Sequence, residues 1–196
     1  MRHVAIFARR PQLGRVKSRL AADIGSVEAL RFYRTTLGTV TRRLAAGRGW
    51  TTWLAVTPDD AVADGRGWPR GIERLPQGGG DLGHRMAGCL ALFGPEPAII
   101  VGSDIPDLTR HHVARAFDLL RRHDFVFGPA ADGGYWLVGA AQGRRTENLF
   151  RDVRWSGLDA LTDTMGNAGP AARIALLDPL DDIDDGAAYR RWRQRD

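Results

Sequence analysis

Three acidic stretches and one basic loop carry the side chains with chemical potential. The stretch GSDIPDL, residues 102–108, sets Asp104 just past PAIIVG (97–102), a continuous apolar run that reads as a buried strand. A carboxylate there can ligate Mg²⁺ (or Mn²⁺), which takes oxygen ligands and keeps waters and substrate phosphates in its shell. Asp107 is a second candidate ligand or a turn residue, and Pro106 stiffens the loop. LDDIDD, 180–185, holds Asp182 and Asp184, which share one side of an extended segment and could complete a metal site begun by Asp104. The same cluster also suits the N-terminus of a following helix. GPAADGGYWLVG, 128–139, places Asp132 before two glycines that allow positive φ and close backbone approach to a ligand, and Asp-Gly is equally a hairpin turn signal.

The basic loop, RRPQLGRVKSRL (9–20), follows the apolar run HVAIFA (3–8) and gathers Arg9, Arg10, Gly14, Arg15, Lys17 and Arg19. Backbone N–H groups and cationic side chains after a strand favour a phosphate, although a solvated surface loop has the same composition. Val16 stands where a Walker A loop requires glycine, and the GxGxxG dinucleotide fingerprint is absent. Lys17 is the single lysine among 28 basic residues. With arginine as the default cation, the exception marks a position that needs a compact ammonium.

Composition excludes several classes. The net charge of +5 is spread over scattered arginines, apart from RRWRQR near the C-terminus, which argues against a nucleic-acid surface but keeps a basic nucleic-acid-binding protein as a weaker reading. No apolar run reaches the length of a membrane span, and the first residues lack the apolar core of a signal peptide, so a cytoplasmic protein is expected. Cys89 is alone, which excludes a disulfide framework. The five histidines have no metal-binding spacing, there is no GxSxG elbow, and the six tryptophans are dispersed.

The elements that must position these residues alternate. Strands are expected at 3–8, 50–56, 72–76, 97–102, 124–129, 135–140 and 173–178. Helices are expected at 27–46, capped by Ser26, and at 82–93, Thr109 to 122, 158–165 and 184–192, with an exposed connection at 59–71. This order predicts an α/β fold, a three-layer α/β/α sandwich with a mainly parallel sheet, in one domain spanning 1–196. Ligands then bind at the carboxyl edge of the strands, among the loops at 9–20, 103–109 and 130–134.

Taken in order, FARRPQLGRVKSRL, QGGGDLGHRM, VGSDIPDL, GPAADGGYWLVG, LFRDVRWS and LDDIDD resemble a bacterial family of uncharacterised nucleotide-diphospho-sugar transferase-like proteins, often labelled glycosyltransferases. The chain is more distantly similar to 2-phospho-L-lactate guanylyltransferase and molybdenum cofactor guanylyltransferase. The resemblance implies the GT-A fold, a nucleoside triphosphate or nucleotide sugar as donor, a small-molecule acceptor, and Mg²⁺ or Mn²⁺. It implies that Lys17 contacts phosphate within a nucleotide-binding loop that includes Arg10, Gly14 and Arg19, and that Asp104 binds the metal with Asp182 and Asp184. Gln77 and Gly83 belong to a block expected near the nucleoside and sugar. Asp132 is expected to orient the acceptor or act as base. Where the family more often has proline and glutamate after the second late aspartate, this chain reads DDGAAY, which leaves both carboxylates in place. Glycosyl transfer and nucleotidyl transfer with release of pyrophosphate both remain open, because both develop negative charge on a phosphate leaving group.

Overall fold

The computed structural model describes residues 1–155 and 157–195. The chain runs β1 (His3–Arg9), α1 (Ser18–Ile24), α2 (Ser26–Ala45), β2 (Thr51–Thr57), β3 (Glu73–Pro76), α3 (Leu82–Leu92), β4 (Ala98–Gly102), α4 (Arg110–Leu119), β5 (Phe125–Pro129), β6 (Tyr135–Ala140), α5 (Ala160–Asn167), β7 (Ile174–Leu176) and α6 (Gly186–Arg193). The strands form one sheet in the order β3-β2-β1-β4-β6-β5-β7. All pairs are parallel except those of β6, which runs antiparallel to β4 and to β5.

The apolar strand runs are continuous because both faces of the sheet are covered. Val4, Ile6 and Ala8 of β1 face one way and pack with Ile99 and Val101 of β4 against Tyr33, Leu37, Val40 and Leu44 of α2 and Val113, Ala116 and Phe117 of α4. Ala5 and Ile100 face the other way, toward Met86, Cys89 and Leu90 of α3 and Leu161 and Met165 of α5. Burying each large aliphatic side chain in these two layers contributes about 1.5–3 kcal/mol. Cys89 belongs to this packing, and burial pushes its thiol up to about 12.

The chain builds outward from β1 through β2 to β3, then returns to lay β4 on the other side of β1. The direction of winding therefore reverses between β1 and β4, which opens a crevice at the carboxyl ends of those two strands. Both loops that carry the candidate lysine and the candidate aspartate emerge there.

Three local expectations are corrected. Ser26 is the first residue of α2, and Gly25, with φ 85°, takes the cap position without a side-chain hydrogen bond. The last part of the 9–20 loop folds into α1, because Leu20 is fully buried with Ala29, Phe32 and Ile183. The 59–71 connection contains a short 3₁₀ turn at Asp59–Val62 and buries Ala61 and Trp68 in the core.

At the sheet's far edge Asp124 ties β5 to β7. Its carboxylate accepts the Arg173 backbone N–H at 2.9 Å and the Arg173 guanidinium at 3.0 Å, and pairs with Arg144 at 2.8 Å. These partners, Arg173 first, hold the Asp124 carboxyl below the usual carboxylate range. A folded pKa below the unfolded one gives stability that is present above about pH 4 and lost as pH falls through the folded value. Asp124→Asn should therefore lower the urea midpoint at neutral pH by the equivalent of about 1.5–3 kcal/mol and flatten part of the acid-side loss of stability. An unchanged acid limb in the variant would refute the assignment.

Candidate active site

β1 ends in a clamp. Tyr33 of α2 accepts the Arg9 backbone N–H at 2.9 Å and donates to the Arg9 carbonyl at 2.8 Å, with Ser103 Oγ 3.4 Å from the same hydroxyl. Burial pushes the Tyr33 hydroxyl up to about 12, so it stays a donor. Tyr33 thus joins the two sides of the crevice, Arg9 at the end of β1 and Ser103 just after β4. It sits in the apolar stripe of α2 and reads there as core; the cue to its second role is that a buried phenol must find polar partners.

Beyond the clamp, Val16 is buried in the core and pins the loop, which sets Lys17 at the cap of α1. Lys17 has φ 50° and ψ 51°, the left-handed region. A side chain held there costs about 1–2 kcal/mol relative to glycine and persists where the surroundings over-determine it. The over-determining contacts are ionic. Lys17 Nζ lies 2.6 Å from Asp104 Oδ2 and 2.5 Å from Asp184 Oδ1, and its side chain is only 5% exposed.

Two structural supports deliver the carboxylates. A Cβ on Gly102 would stand 2.8 Å from Ile105 and 3.1 Å from the Asp104 carboxylate, so the absent side chain lets the turn fold back on β4. The segment after β7 continues along β5, with Leu177 N–H donating to the Phe127 carbonyl at 2.8 Å and Leu180 N–H to the Pro129 carbonyl at 3.2 Å. Ile183 is then buried against Leu20 and Phe32, which leaves its neighbours Asp182 and Asp184 at the crevice. Asp23 accepts the Gly186 N–H at 2.7 Å and fixes the start of α6 beside α1.

Oxygens of Asp104, Asp182 and Asp184 all lie within 4.8 Å of one another. Burial alone would lower the Lys17 pKa, but the charges of Asp104 and Asp184 outweigh it and hold the ammonium above its ordinary value. Asp182 shows the opposite effect: burial, then the charges of Asp184 and Asp104, push its carboxyl up to about 7. The cluster therefore has more negative charge than one ammonium balances. Hard carboxylate oxygens at this spacing suit Mg²⁺ or Mn²⁺.

Two cavities open from this cluster and share a wall made by Phe7, Leu82, Gly102 and Asp104. The first, about 390 Å³, is lined by Arg9, Arg15, Lys17, Arg19, Tyr33, Gln77, Ser103 and Asp184. The second, about 310 Å³, is lined by Met86, Tyr135, Trp155 and Leu137, with Asp132 and Asp182.

The structure thus brings together Lys17, Arg19, Gln77, Asp104 and Asp184 in one cavity and Asp104, Asp132 and Asp182 in the other. Gln77 is buried, and its amide nitrogen donates to the carbonyls of Ala8 and Ala55, which anchors the ends of β1 and β2. Arg10 points away from the cluster and pairs with Asp64. Gly14 has φ 72° with no atom near its missing Cβ. Gly83 faces the protein: a Cβ there would meet the Phe150 carbonyl at 2.7 Å and Trp155 at 3.1 Å. Arg10, Gly14 and Gly83 line neither cavity. Arg15, from the basic loop, lines the first; Tyr33, Leu82, Tyr135 and Trp155 line them and were not among the candidates, because no local spacing distinguishes a wall residue from a core or surface one.

Residues 39–157 match the family described as uncharacterised protein conserved in bacteria, DUF2064. The chain belongs to the DUF2064 family. The match contains Asp104 and Asp132 and stops short of Lys17 on one side and of Asp182 and Asp184 on the other. No curated protein matches the sequence. Among solved structures, this DUF2064 chain is similar to a protein of Desulfovibrio desulfuricans G20 provisionally described as a nucleotide-diphospho-sugar transferase. The two are 28% identical, with 94% of this chain and 82% of that one covered and a TM-score of 0.86. It also overlays a CMP:2-keto-3-deoxy-manno-octonic acid synthetase complexed with CTP, at 13% identity, 99% and 97% coverage and a TM-score of 0.61. A third is 4-diphosphocytidyl-2C-methyl-D-erythritol synthase of Anaerococcus prevotii DSM 20548, at 12% identity, 100% and 99% coverage and a TM-score of 0.59. These likenesses establish the nucleotide-diphospho-sugar transferase type of fold. Among the described residues no helix is long and apolar enough to cross a membrane.

The left-handed backbone at Lys17 gives a test that is independent of activity. Lys17→Gly and Lys17→Ala both delete the ammonium, but only alanine retains a Cβ in the left-handed region. Lys17→Gly should be the more stable of the two by about 1 kcal/mol in urea denaturation. Equal stability would show that the residue is not held in that conformation.

Proposed function

We propose that this chain, as one domain, is a divalent-cation-dependent transferase that moves a glycosyl group from a nucleotide sugar to a small-molecule acceptor. The carrying observation is the buried Lys17 ammonium among Asp104, Asp182 and Asp184, at the strand-order reversal and beside a basic cavity. The likeness to the Desulfovibrio protein supports the sugar-transfer version.

In this reading Arg15, Lys17 and Arg19 receive the donor's phosphates, with Arg19 already 3.9 Å from Asp184. Asp104, Asp182 and Asp184 would hold Mg²⁺ or Mn²⁺, which supplies charge neutralisation at the diphosphate. Asp132, whose Oδ1 is fixed by the Gly134 N–H at 2.9 Å, accepts the proton of the acceptor hydroxyl. The acceptor oxygen bonds to the anomeric carbon, the bond from that carbon to the diphosphate oxygen breaks, and the nucleoside diphosphate leaves with the electron pair. Lys17 remains protonated throughout and stabilises the charge that grows on the leaving oxygen.

A second reading has its own support. The three cations gathered directly after β1 suit a triphosphate, and the fold is shared with a synthetase complexed with CTP. Here an acceptor oxygen attacks the α-phosphorus and pyrophosphate leaves. Product analysis separates the two readings, since one releases nucleoside diphosphate and the other pyrophosphate.

A thermal-shift panel of nucleoside triphosphates and nucleotide sugars, with and without Mg²⁺, tests both. A ligand at one hundred times its dissociation constant should raise the melting temperature by about 5–10 °C. If no member of the panel shifts it in Mg²⁺, both readings fail. A second expectation concerns the roles of the residues. Lys17→Ala should weaken nucleotide affinity about 10–100-fold, whereas Asp104→Ala should chiefly abolish the Mg²⁺ dependence of binding. Equal affinity of wild type and Lys17→Ala would remove Lys17 from the phosphate site.

A further inference from the structure

The two cavities that share the Asp104 wall have opposite chemistry. One carries Arg9, Arg15, Lys17 and Arg19. The other has three carboxylates, Asp104, Asp132 and Asp182, and no basic residue among its described lining. In a chain of 196 residues with 28 Lys and Arg, a cavity of that size without one basic side chain is a chemical statement. Its remaining wall is apolar and aromatic. Tyr135 and Trp155 stand edge to face with ring centroids 6.4 Å apart, and Met86 packs beside them.

We propose that this second cavity binds the acceptor, and that the acceptor is a small hydroxyl-bearing ring compound without negative charge. The proposal rests on the transferase reading above and narrows it. With Lys17 and the proposed cation balancing Asp104, Asp182 and Asp184, a phosphorylated or carboxylated acceptor would still face Asp132 and the donor's phosphates next door, with no basic side chain of the cavity to receive it. A hydroxylated ring meets complementary groups there: the Asp132 carboxylate accepts a hydroxyl, and the aromatic wall covers its apolar face. The volume of about 310 Å³ is at the small end for ligand sites and fits a single ring with a substituent. The nucleophile is accordingly a hydroxyl oxygen rather than a phosphate or carboxylate.

The cavity is closed on one side by a contact that only glycine permits. Gly133 has φ 84°, and a Cβ there would lie 2.3 Å from Leu158 Cα. The Gly133 carbonyl accepts the Leu161 N–H at 3.0 Å, which draws the start of α5 over the Asp132 turn. A side chain at 133 would push that wall outward without touching the Lys17 cavity.

The experiment is calorimetric titration of the full chain in Mg²⁺, with the basic cavity first saturated by inorganic pyrophosphate, using two matched probes, phenyl β-D-glucoside and phenyl phosphate. The glucoside should bind at least about tenfold more tightly than the phosphate. Asp132→Lys, a change at an exposed position, should narrow or reverse that ratio, and Gly133→Val should weaken the glucoside alone. Tighter or equal binding of phenyl phosphate to the wild type, binding of neither probe, or an unchanged ratio in Asp132→Lys would overturn the proposal. Nucleotide binding in the thermal-shift panel is read separately. A panel that fails while the glucoside preference holds overturns the transferase reading and leaves the cavity's charge selectivity standing. A panel that succeeds while the preference is absent overturns only the acceptor class.

Discussion

One buried ammonium holds the centre of this molecule together. Asp104 and the pair Asp182 and Asp184 come from segments far apart in sequence, yet the oxygens of all three lie within 4.8 Å of one another. Two carboxylates at that separation repel by on the order of 3 kcal/mol at the effective dielectric of a partly buried site. Lys17 reduces that cost by sitting 2.6 Å and 2.5 Å from two of them. The geometry also explains why lysine interrupts an arginine-rich surface. A compact ammonium fits between two single oxygens from different segments, whereas a planar guanidinium prefers both oxygens of one carboxylate. The uncompensated remainder of the charge shows at Asp182, whose carboxyl is pushed up to about 7.

The fold supplies what this balance requires. Parallel pairing of β1 with β4 puts the loop of Lys17 and the loop of Asp104 at the same sheet edge. Tyr33 ties those loops together, and Ile183 anchors the late acidic segment against α1 and α2. The backbone strain at Lys17 is the local cost of aiming its side chain inward. The same wall then divides a basic cavity from an acidic, aromatic one.

Much of the fold was legible in the sequence, because strands buried on both faces are written as apolar runs and helices as periodic stripes. HVAIFA, PAIIVG, DFVFGP and YWLVGA lie where strands form, and the Asp132 turn joins an antiparallel pair. Caps and short helices were less legible. Gly25 displaced Ser26 as a cap, and α1 formed because Leu20 is buried by α2 and by the distant Ile183. Trp68, in a segment that reads as exposed, is buried through tertiary contacts with no local signature.

For the site, the sequence by itself determined the inventory: a single lysine after the first strand, an aspartate after the fourth, an Asp-Gly-Gly turn and a late acidic pair. Residue type and position relative to strand ends are local properties, so they can be read without a structure. Tertiary structure alone decided the grouping. It placed Arg10 on Asp64, turned Gly83 toward Phe150, left Gly14 outside both cavities, and brought Tyr33, Tyr135 and Trp155 into their walls. Which side chains share a cavity depends on sheet order and on packing between segments as far apart as 17 and 184. No spacing along the chain encodes that distance.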